Sequence, residues 1–543
     1  MSHSSGGELK GGLAPQSVRV SNLAHFVTRA SRRHGERTAL ACGKARWTWR
    51  EFDSRISAAA AALHDVYGIG KGDRVLVQSH NCNQMFEAMF ACFRLGAVYV
   101  PTNYRQTPEE VAFLCEASGA RGMICHANFP GHAAACLASK APPDFVIAIG
   151  EAEFGPSYDR LVGEHLGRDI ANVPVERDDP CWFFFTSGTT GRPKAAVLTH
   201  GQMAFVVTNH LCDLMPGTGP ADVSLVVAPL SHGAGVHQLV QVAAGATTVL
   251  LPSERFDPAE VWDLVASWKV TNMFTVPTIV KRLVEHPSAR TADTSSLRYV
   301  IYAGAPMYRA DQKRALQTLG PCLVQYFGLG EVTGNITVLP AGEHHAEDGD
   351  DARIGTCGFE RTGIEIAIQN EEGDDLPLGE TGEICVTGPA VFAGYYQNPD
   401  ANAKAFRNGW FRTGDLGHLD EGGYLFITGR ASDMYISGGS NIYPREIEEK
   451  ILAHPKVSEA AVFGIPDPDW GEVGIAVLVP MGGESIETAE IAEFLAPKLS
   501  RYKLPKRFVV LDEMPKSAYG KITKKLVRQT LEERGLLGAD AGA

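Results

Sequence analysis

Cys181-Trp182-Phe183-Phe184-Phe185-Thr186-Ser187-Gly188-Thr189-Thr190-Gly191-Arg192-Pro193-Lys194 passes without a break from a short apolar run into residues rich in hydroxyls and glycine. The apolar part has the length and aromatic content of a buried strand. A loop of this composition at a strand end is a phosphate cradle. Glycines let main-chain N–H groups approach an anion, hydroxyls donate further hydrogen bonds, and Lys194 supplies charge. The candidate contacts are Thr186, Ser187, Gly188, Thr189, Thr190, Gly191 and Lys194. It is not a Walker loop, because Arg192 and Pro193 separate the last glycine from the lysine. ATP binding here therefore does not imply phosphoryl transfer. A flexible linker fits poorly behind so apolar a strand.

Outward from this loop, apolar strand-like runs alternate with amphipathic helical ones. Residues 74–78 read as strand, 82–95 as helix and 97–101 as strand; 223–228, 236–244, 247–251 and 258–267 repeat the alternation. Between 353 and 395 the pattern changes to short β runs broken by Gly and Pro. Beyond 430, Tyr443-Pro444-Arg445-Glu446 opens a helix with proline in its first turn. Strands at 460–464, 476–479 and 508–511 and a helix at 486–499 follow. The fold class is α/β: a large N-terminal body of mixed α/β layers with a small β-subdomain, plus a mobile C-terminal α+β lobe. The domains are 1–16, expected to be disordered; 17–430, the large body; 431–433, a hinge; and 434–543, the lobe.

Composition fits this reading. A chain of 543 residues exceeds one hydrophobic core, and 44% apolar with 21% charged residues is ordinary for a globular protein. A formal charge of −13 argues against bulk nucleic acid as a partner. The N-terminus carries no apolar stretch behind a basic one, and the longest apolar windows are too short to be a transmembrane segment, so a cytoplasmic enzyme is expected. The 11 cysteines include no C-x-x-C pair and read as reduced structural thiols.

The nonapeptide 186–194 resembles the signature of the adenylate-forming, AMP-binding superfamily, which joins acyl- and aryl-CoA synthetases, luciferases and peptide-synthetase adenylation domains. Further family-like motifs follow in the family's order over about residues 20 to 530. Tyr302-Ala303-Gly304-Ala305-Pro306 resembles the segment that lies along adenine, which implicates Gly304, Ala305 and Pro306. Gln325-Tyr326-Phe327-Gly328-Leu329-Gly330-Glu331 resembles the aromatic-Gly-x-Thr-Glu segment. By that resemblance Phe327 and Gly328 meet adenine and Glu331 ligates Mg2+, a hard ion suited to one carboxylate plus phosphate oxygens. Gly330 stands where the family usually has threonine; either a neighbouring hydroxyl, of Thr189, Thr190 or Thr333, takes over the phosphate contact, which is the expectation, or the site relies on Lys194, magnesium and main-chain N–H groups.

Gly409-Trp410-Phe411-Arg412-Thr413-Gly414-Asp415 ends in a carboxylate that, by resemblance, accepts both ribose hydroxyls, with Arg430 completing the nucleotide contact. Lys521, in Pro515-Lys516-Ser517-Ala518-Tyr519-Gly520-Lys521, resembles the lysine that bridges carboxylate and α-phosphate, a cation that stabilises the transition state more than the separated anions. Asp433 sits at the family's hinge position, and rotation there would bring Ser437, Gly438 and Gly439 to a CoA tunnel.

His232, in Pro229-Leu230-Ser231-His232-Gly233, resembles a gate between acyl site and thiol tunnel and counts with Lys521 and Glu331 among the catalytic candidates. Candidates for the acyl pocket are Val236, His237, Ala303, Leu329, Gly334 and Ile336, with no Lys or Arg to pair a second carboxylate. The resemblance thus implies an ATP-dependent carboxylate-CoA ligase acting on a monocarboxylic acid, fatty or aromatic. Its substrates are ATP, the acid and coenzyme A, with Mg2+ as cofactor and no covalent enzyme intermediate. The alternative is an acyl-AMP ligase that loads a carrier protein. Association as a homodimer is left open.

Overall fold

The computed structural model describes residues 18–186, 192–253, 256–349, 352–438, 440–482, 484–517 and 521–537. The disorder expected for residues 1–16 therefore falls outside the described residues, as do five loop positions, Ser187, Gly188, Thr189, Thr190 and Gly191, and the tunnel candidate Gly439.

Helix starts are written locally. Thr48, Thr107 and Thr199 each form a capping box with Glu51, Glu110 and Gln202, so the side chains satisfy main-chain N–H groups that the first turn leaves without partners. The helix Asn83–Leu95 is buried on nearly every face, which explains its apolar run of Met85, Phe86, Met89, Phe90 and Phe93. Its two buried charges are paired: Glu87 with Arg55 at 2.6 Å, and Arg94 with Asp53. Pairing is what makes such burial tolerable.

A six-stranded sheet runs in the order Lys194–Thr199, Pro180–Thr186, Val98–Pro101, Arg74–Gln78, Gly122–His126, Phe145–Ile149. All neighbours are parallel except the first pair. A second, 14-stranded sheet has a parallel centre: Leu323–Phe327, Tyr299–Tyr302, Asn272–Thr275, Val223–Val226, Thr247–Leu250 and Thr38–Cys42. The β-rich part anticipated after residue 353 is hydrogen-bonded onto this sheet as an antiparallel extension: Thr337–Leu339, Thr356–Glu360, Tyr424–Arg430, Trp410–Leu419, Gly382–Thr387 and Glu365–Gln369. Parallel strands with covering helices and the apolar cluster around Trp49, Phe90, Trp182 and Ile301 form the main core.

The C-terminal lobe has its own five-stranded sheet, built on the hairpin Val457–Asp467/Gly471–Pro480, with Arg507–Val510 added in parallel. Two apolar clusters lie on its faces, one under Pro444–Leu452 and Thr488–Leu495, the other under Lys524–Glu533. The helix read at 486–499 ends at Leu495, ahead of Pro497, which has no N–H to continue it. No helix among the described residues is long and apolar enough to cross a membrane.

Candidate active site

The loop opens where two antiparallel strands end opposite each other, with Thr186 paired to Lys194 in the sheet register. This places a hydroxyl and an ammonium group on either side of the cradle. Thr186 Oγ1 donates to Glu331 Oε1 at 2.8 Å. Glu331 is buried in the short 3-10 turn Gly330–Val332, which follows the strand Leu323–Phe327 by three residues. Its Oε2 has no hydrogen-bond partner among the described residues, so one carboxylate oxygen remains for a ligand. The described residues contain no cluster of three or more His, Cys, Asp or Glu side chains placed to hold a metal ion; one carboxylate together with phosphate oxygens suits a hard cation such as Mg2+.

Tyr395 was not marked by the sequence. Its segment is bridged to the lysine strand at Ala196, its hydroxyl donates to Glu331 Oε1 at 2.9 Å, and its ring lies 4.2 Å from Lys194 Nζ. Phe184, also missed, projects toward Gly330: a Cβ there would lie 2.6 Å from Phe184 Cδ1 and 3.0 Å from Thr186 Cγ2. Strand alternation was the available signal for Phe184, whereas nothing local marks Tyr395.

The adenine-side motif follows the strand Tyr299–Tyr302, and Gly304 takes φ +81°, a left-handed angle that favours glycine. Lys521 reaches this turn from the other lobe: a Cβ on Gly304 would lie 3.9 Å from Lys521 Nζ. Phe327 is half-buried at its strand end. Gly328 and Gly334 meet backbone to backbone, since a Cβ on Gly328 would come within 2.5 Å of Gly334.

Asp415 and Arg430 lie directly opposite in adjacent strands, and Arg430 Nε is 3.1 Å from Asp415 Oδ1. Burial raises the Asp415 pKa, and Arg430 and then Lys521 oppose the shift. Burial likewise lowers the pKa of Lys521, Arg430 adds to this, and Asp415 and Glu331 pull it back. Residue 521 as a whole is nonetheless exposed, so the crowding is confined to part of the side chain. The structure thus gathers Thr186, Lys194, Gly304, Glu331, Asp415, Arg430 and Lys521 into one cleft between the lobes.

His232 caps the helix Gly233–Ala244, and its ring meets Phe184 edge-on at 5.4 Å. Burial and the nearby Lys521 charge lower its pKa to about 3, so it is neutral at physiological pH. Among the acyl-pocket candidates, Val236, His237, Ala303 and Ile336 are buried, whereas Leu329 is partly exposed. His237 Nε2 contacts Asn272 Oδ1 at 2.9 Å and Ser224 Oγ at 3.2 Å. A row of rings links His232 to Gly334: Phe184 beside His232, Phe274 under Gly233, and Tyr326 stacked on Phe274 and against Gly334. Behind them Arg361, fully buried, donates to Asn335 Oδ1 at 2.8 Å and lies 3.9 Å from Asp213; burial lowers its pKa to about 10. The sequence reading missed this cation, and its charge is already matched.

Ser437 and Gly438 lie in a hairpin at the edge of the C-terminal sheet, where Gly438 N–H donates to Trp470 within the same lobe. They are not brought to the cleft in this orientation. Asp433 sits in a turn, its N–H donating to Arg430 O at 3.0 Å.

Family models match both parts of the chain. The model of the AMP-binding enzyme family matches residues 27–396, and that of the AMP-binding enzyme C-terminal domain matches 446–521. The chain is 36% identical to a feruloyl-CoA synthase of Amycolatopsis sp, over 94% of this chain and 99% of the relative. It is 32% identical to an indoleacetate–CoA ligase of Aromatoleum aromaticum, over 94% of this chain and 98% of the relative. Among solved structures, o-succinylbenzoate CoA synthetase of Bacillus subtilis in complex with its acyl-adenylate intermediate superposes with a TM-score of 0.81. That match has 29% identity and covers 95% of this chain and 98% of the other. With the cleft, both family segments and near-full-length relatives in agreement, the chain belongs to the AMP-binding enzyme family.

Proposed function

We propose that this protein is an ATP-dependent acyl-CoA synthetase. The carboxylate of a monocarboxylic acid attacks the α-phosphorus of ATP; the bond to the β-phosphate oxygen breaks, pyrophosphate leaves and acyl-AMP forms. The thiol of coenzyme A then loses its proton and attacks the acyl carbon, the acyl–phosphate oxygen bond breaks, and AMP leaves. The observation that carries this reading is Lys521, delivered by one lobe to the cleft that holds Glu331, Asp415 and Arg430 in the other. A cation at that point lets two anions meet and stabilises the charge that develops between them.

In this reading the loop residues 187–191 and Lys194 hold the phosphates, while the Thr186 hydroxyl at the edge of the cradle is engaged by Glu331; Gly304 to Pro306, Phe327 and Gly328 line the adenine, and Asp415 holds the ribose. Glu331 would hold Mg2+, which supplies charge neutralisation at the phosphates. Arg430 already engages Asp415, so ribose binding shares that carboxylate between the guanidinium and the diol. Neutral His232 orients the acid or gates the thiol without contributing charge. The turn at 431–433 acts as the hinge that withdraws Lys521 and brings Ser437 to Gly439 inward for the thiol step. The row Phe184, Phe274 and Tyr326 favours an aromatic acid over a flexible aliphatic one, and Asp213 leaves Arg361 without charge to offer a second carboxylate. Action in the cytoplasm belongs to the same proposal.

The test is pyrophosphate release with purified protein over a panel of aryl, arylalkenoic, straight-chain and dicarboxylic acids, followed by product analysis with coenzyme A or a carrier protein as acceptor. Aryl-CoA formation is expected. Release without CoA thioester, but with acylated carrier protein, would favour the carrier-loading alternative.

A further inference from the structure

Tyr395 touches two charged groups of the cleft at once. Its segment runs antiparallel to the strand Lys194–Thr199: Ala393 N–H donates to Val197 O at 3.0 Å, Tyr396 N–H to Ala195 O at 2.9 Å, and Val197 N–H to Gly394 O at 3.0 Å. Phe392 N–H donates to the main-chain oxygen of Glu331 at 2.8 Å, so the same segment also straps the turn that carries Glu331. From this register the Tyr395 hydroxyl reaches Glu331 Oε1 at 2.9 Å, while Thr186 donates to that same oxygen at 2.8 Å. The ring lies 4.2 Å from the Lys194 ammonium, within cation–π range.

An ionised carboxylate accepts on both oxygens. Two hydroxyls converging on Oε1 fix the plane of the group and leave Oε2 to a ligand. We propose that Tyr395 is a positioning residue for the adenylation step: with Thr186 it holds Glu331 by one oxygen so that the other is presented to Mg2+, and its ring holds Lys194 beside the same phosphates. This rests on the reading of Glu331 as the metal ligand. Groups that orient a metal ligand in this way change metal affinity by roughly 10- to 100-fold when removed.

The experiment uses the full chain with ATP and Mn2+, a magnesium substitute visible by electron paramagnetic resonance. Tyr395→Phe keeps the ring under Lys194 and removes only the hydroxyl. The expected result is Mn2+ affinity in the ATP complex about tenfold or more weaker, with ATP binding in EDTA, measured by calorimetry, within about twofold of wild type. Tyr395→Leu removes the ring as well and is expected to weaken ATP binding in EDTA too. Thr186→Val deletes the other donor and is expected to weaken Mn2+ in the same way, an independent reading should the tyrosine variants not fold. Glu331→Gln separates the two levels of inference. If it weakens Mn2+ while Tyr395→Phe and Thr186→Val do not, the positioning role is overturned and the metal ligand stands. If Glu331→Gln leaves Mn2+ affinity unchanged, the ligand assignment itself fails. Equal loss of ATP with and without metal in Tyr395→Phe also overturns the proposal.

Discussion

Gly330 stands where the family usually has threonine, and restoring that threonine is expected to harm the enzyme. The reason is space and not backbone conformation. Gly330 is absent from the glycines with left-handed φ, so its backbone suits any L residue. A Cβ at 330, however, would fall 2.6 and 2.7 Å from Phe184 Cδ1 and Cε1 and 3.0 Å from Thr186 Cγ2. Phe184 cannot withdraw freely, because its ring is flanked by His232 at 5.4 Å and Trp182 at 6.3 Å. Overpacking of this kind costs about 1–3 kcal/mol, and at about 1.4 kcal/mol per tenfold that corresponds to a loss of roughly 5- to 150-fold if it falls on the reactive geometry. Of the hydroxyls expected to compensate, Thr189 and Thr190 lie outside the described residues, and Thr333 donates to Val332 O at 2.7 Å. The assay is ATP/pyrophosphate exchange at saturating acid with ATP varied. Gly330→Thr is expected to lower exchange, and Gly330→Thr combined with Phe184→Ala to recover part of the loss, because the alanine vacates the volume the threonine needs. A tenfold gain in exchange by Gly330→Thr alone would refute the steric account and show that the site lacks a phosphate hydroxyl. Identical losses with and without Phe184 would separate the effect from the collision.

Lys521→Ala is expected to abolish acyl-AMP formation while sparing thioester formation from supplied acyl-AMP, measured as the two half-reactions separately; equal losses would contradict its assignment to the first step. Asp433→Pro fixes φ and deletes the turn hydrogen bond to Arg430 O, worth about 1 kcal/mol, and is expected to leave adenylation largely intact but suppress the thioester step. The pH profile follows from the lowered Lys521 pKa. The protonated form is the active one, so adenylation kcat/KM is present at lower pH and falls along a basic limb below the ordinary lysine value of about 10.4. Lys521→Arg, which does not titrate there, is expected to lose that limb whatever its residual rate, and an unchanged limb would assign it to another group.

Much of this protein is legible without coordinates because its signals are local. Apolar runs of strand length, capping boxes at Thr48, Thr107 and Thr199, and the loop from Thr186 to Lys194 each depend on residues within a few positions of one another. The pairing of Asp415 with Arg430 was within reach for the same reason, since both lie in neighbouring strands of one hairpin. Family resemblance could nominate Lys521, but its approach to Gly304 depends on how two separately built lobes meet.

The tertiary structure alone decided the contacts that tune the site. Tyr395 is an unremarked aromatic in a turn-rich stretch until a main-chain register lays it along the lysine strand, 64 residues from the carboxylate it holds. Phe184 reads as one more apolar residue of a buried strand until Gly330 is found against its ring. Arg361 reads as a loop cation until it is found fully buried, facing Asp213 and bonded to Asn335. Hydrophobic periodicity states which face of an element is buried; it does not state which element covers that face, because burial is nearly indifferent to the identity of the apolar neighbour. Identity is fixed by sheet register and by the few polar groups that must find partners once water is excluded. The sequence therefore determined the elements, their order and the chemistry carried by the motifs, while the packed fold determined which side chains hold those motifs in position.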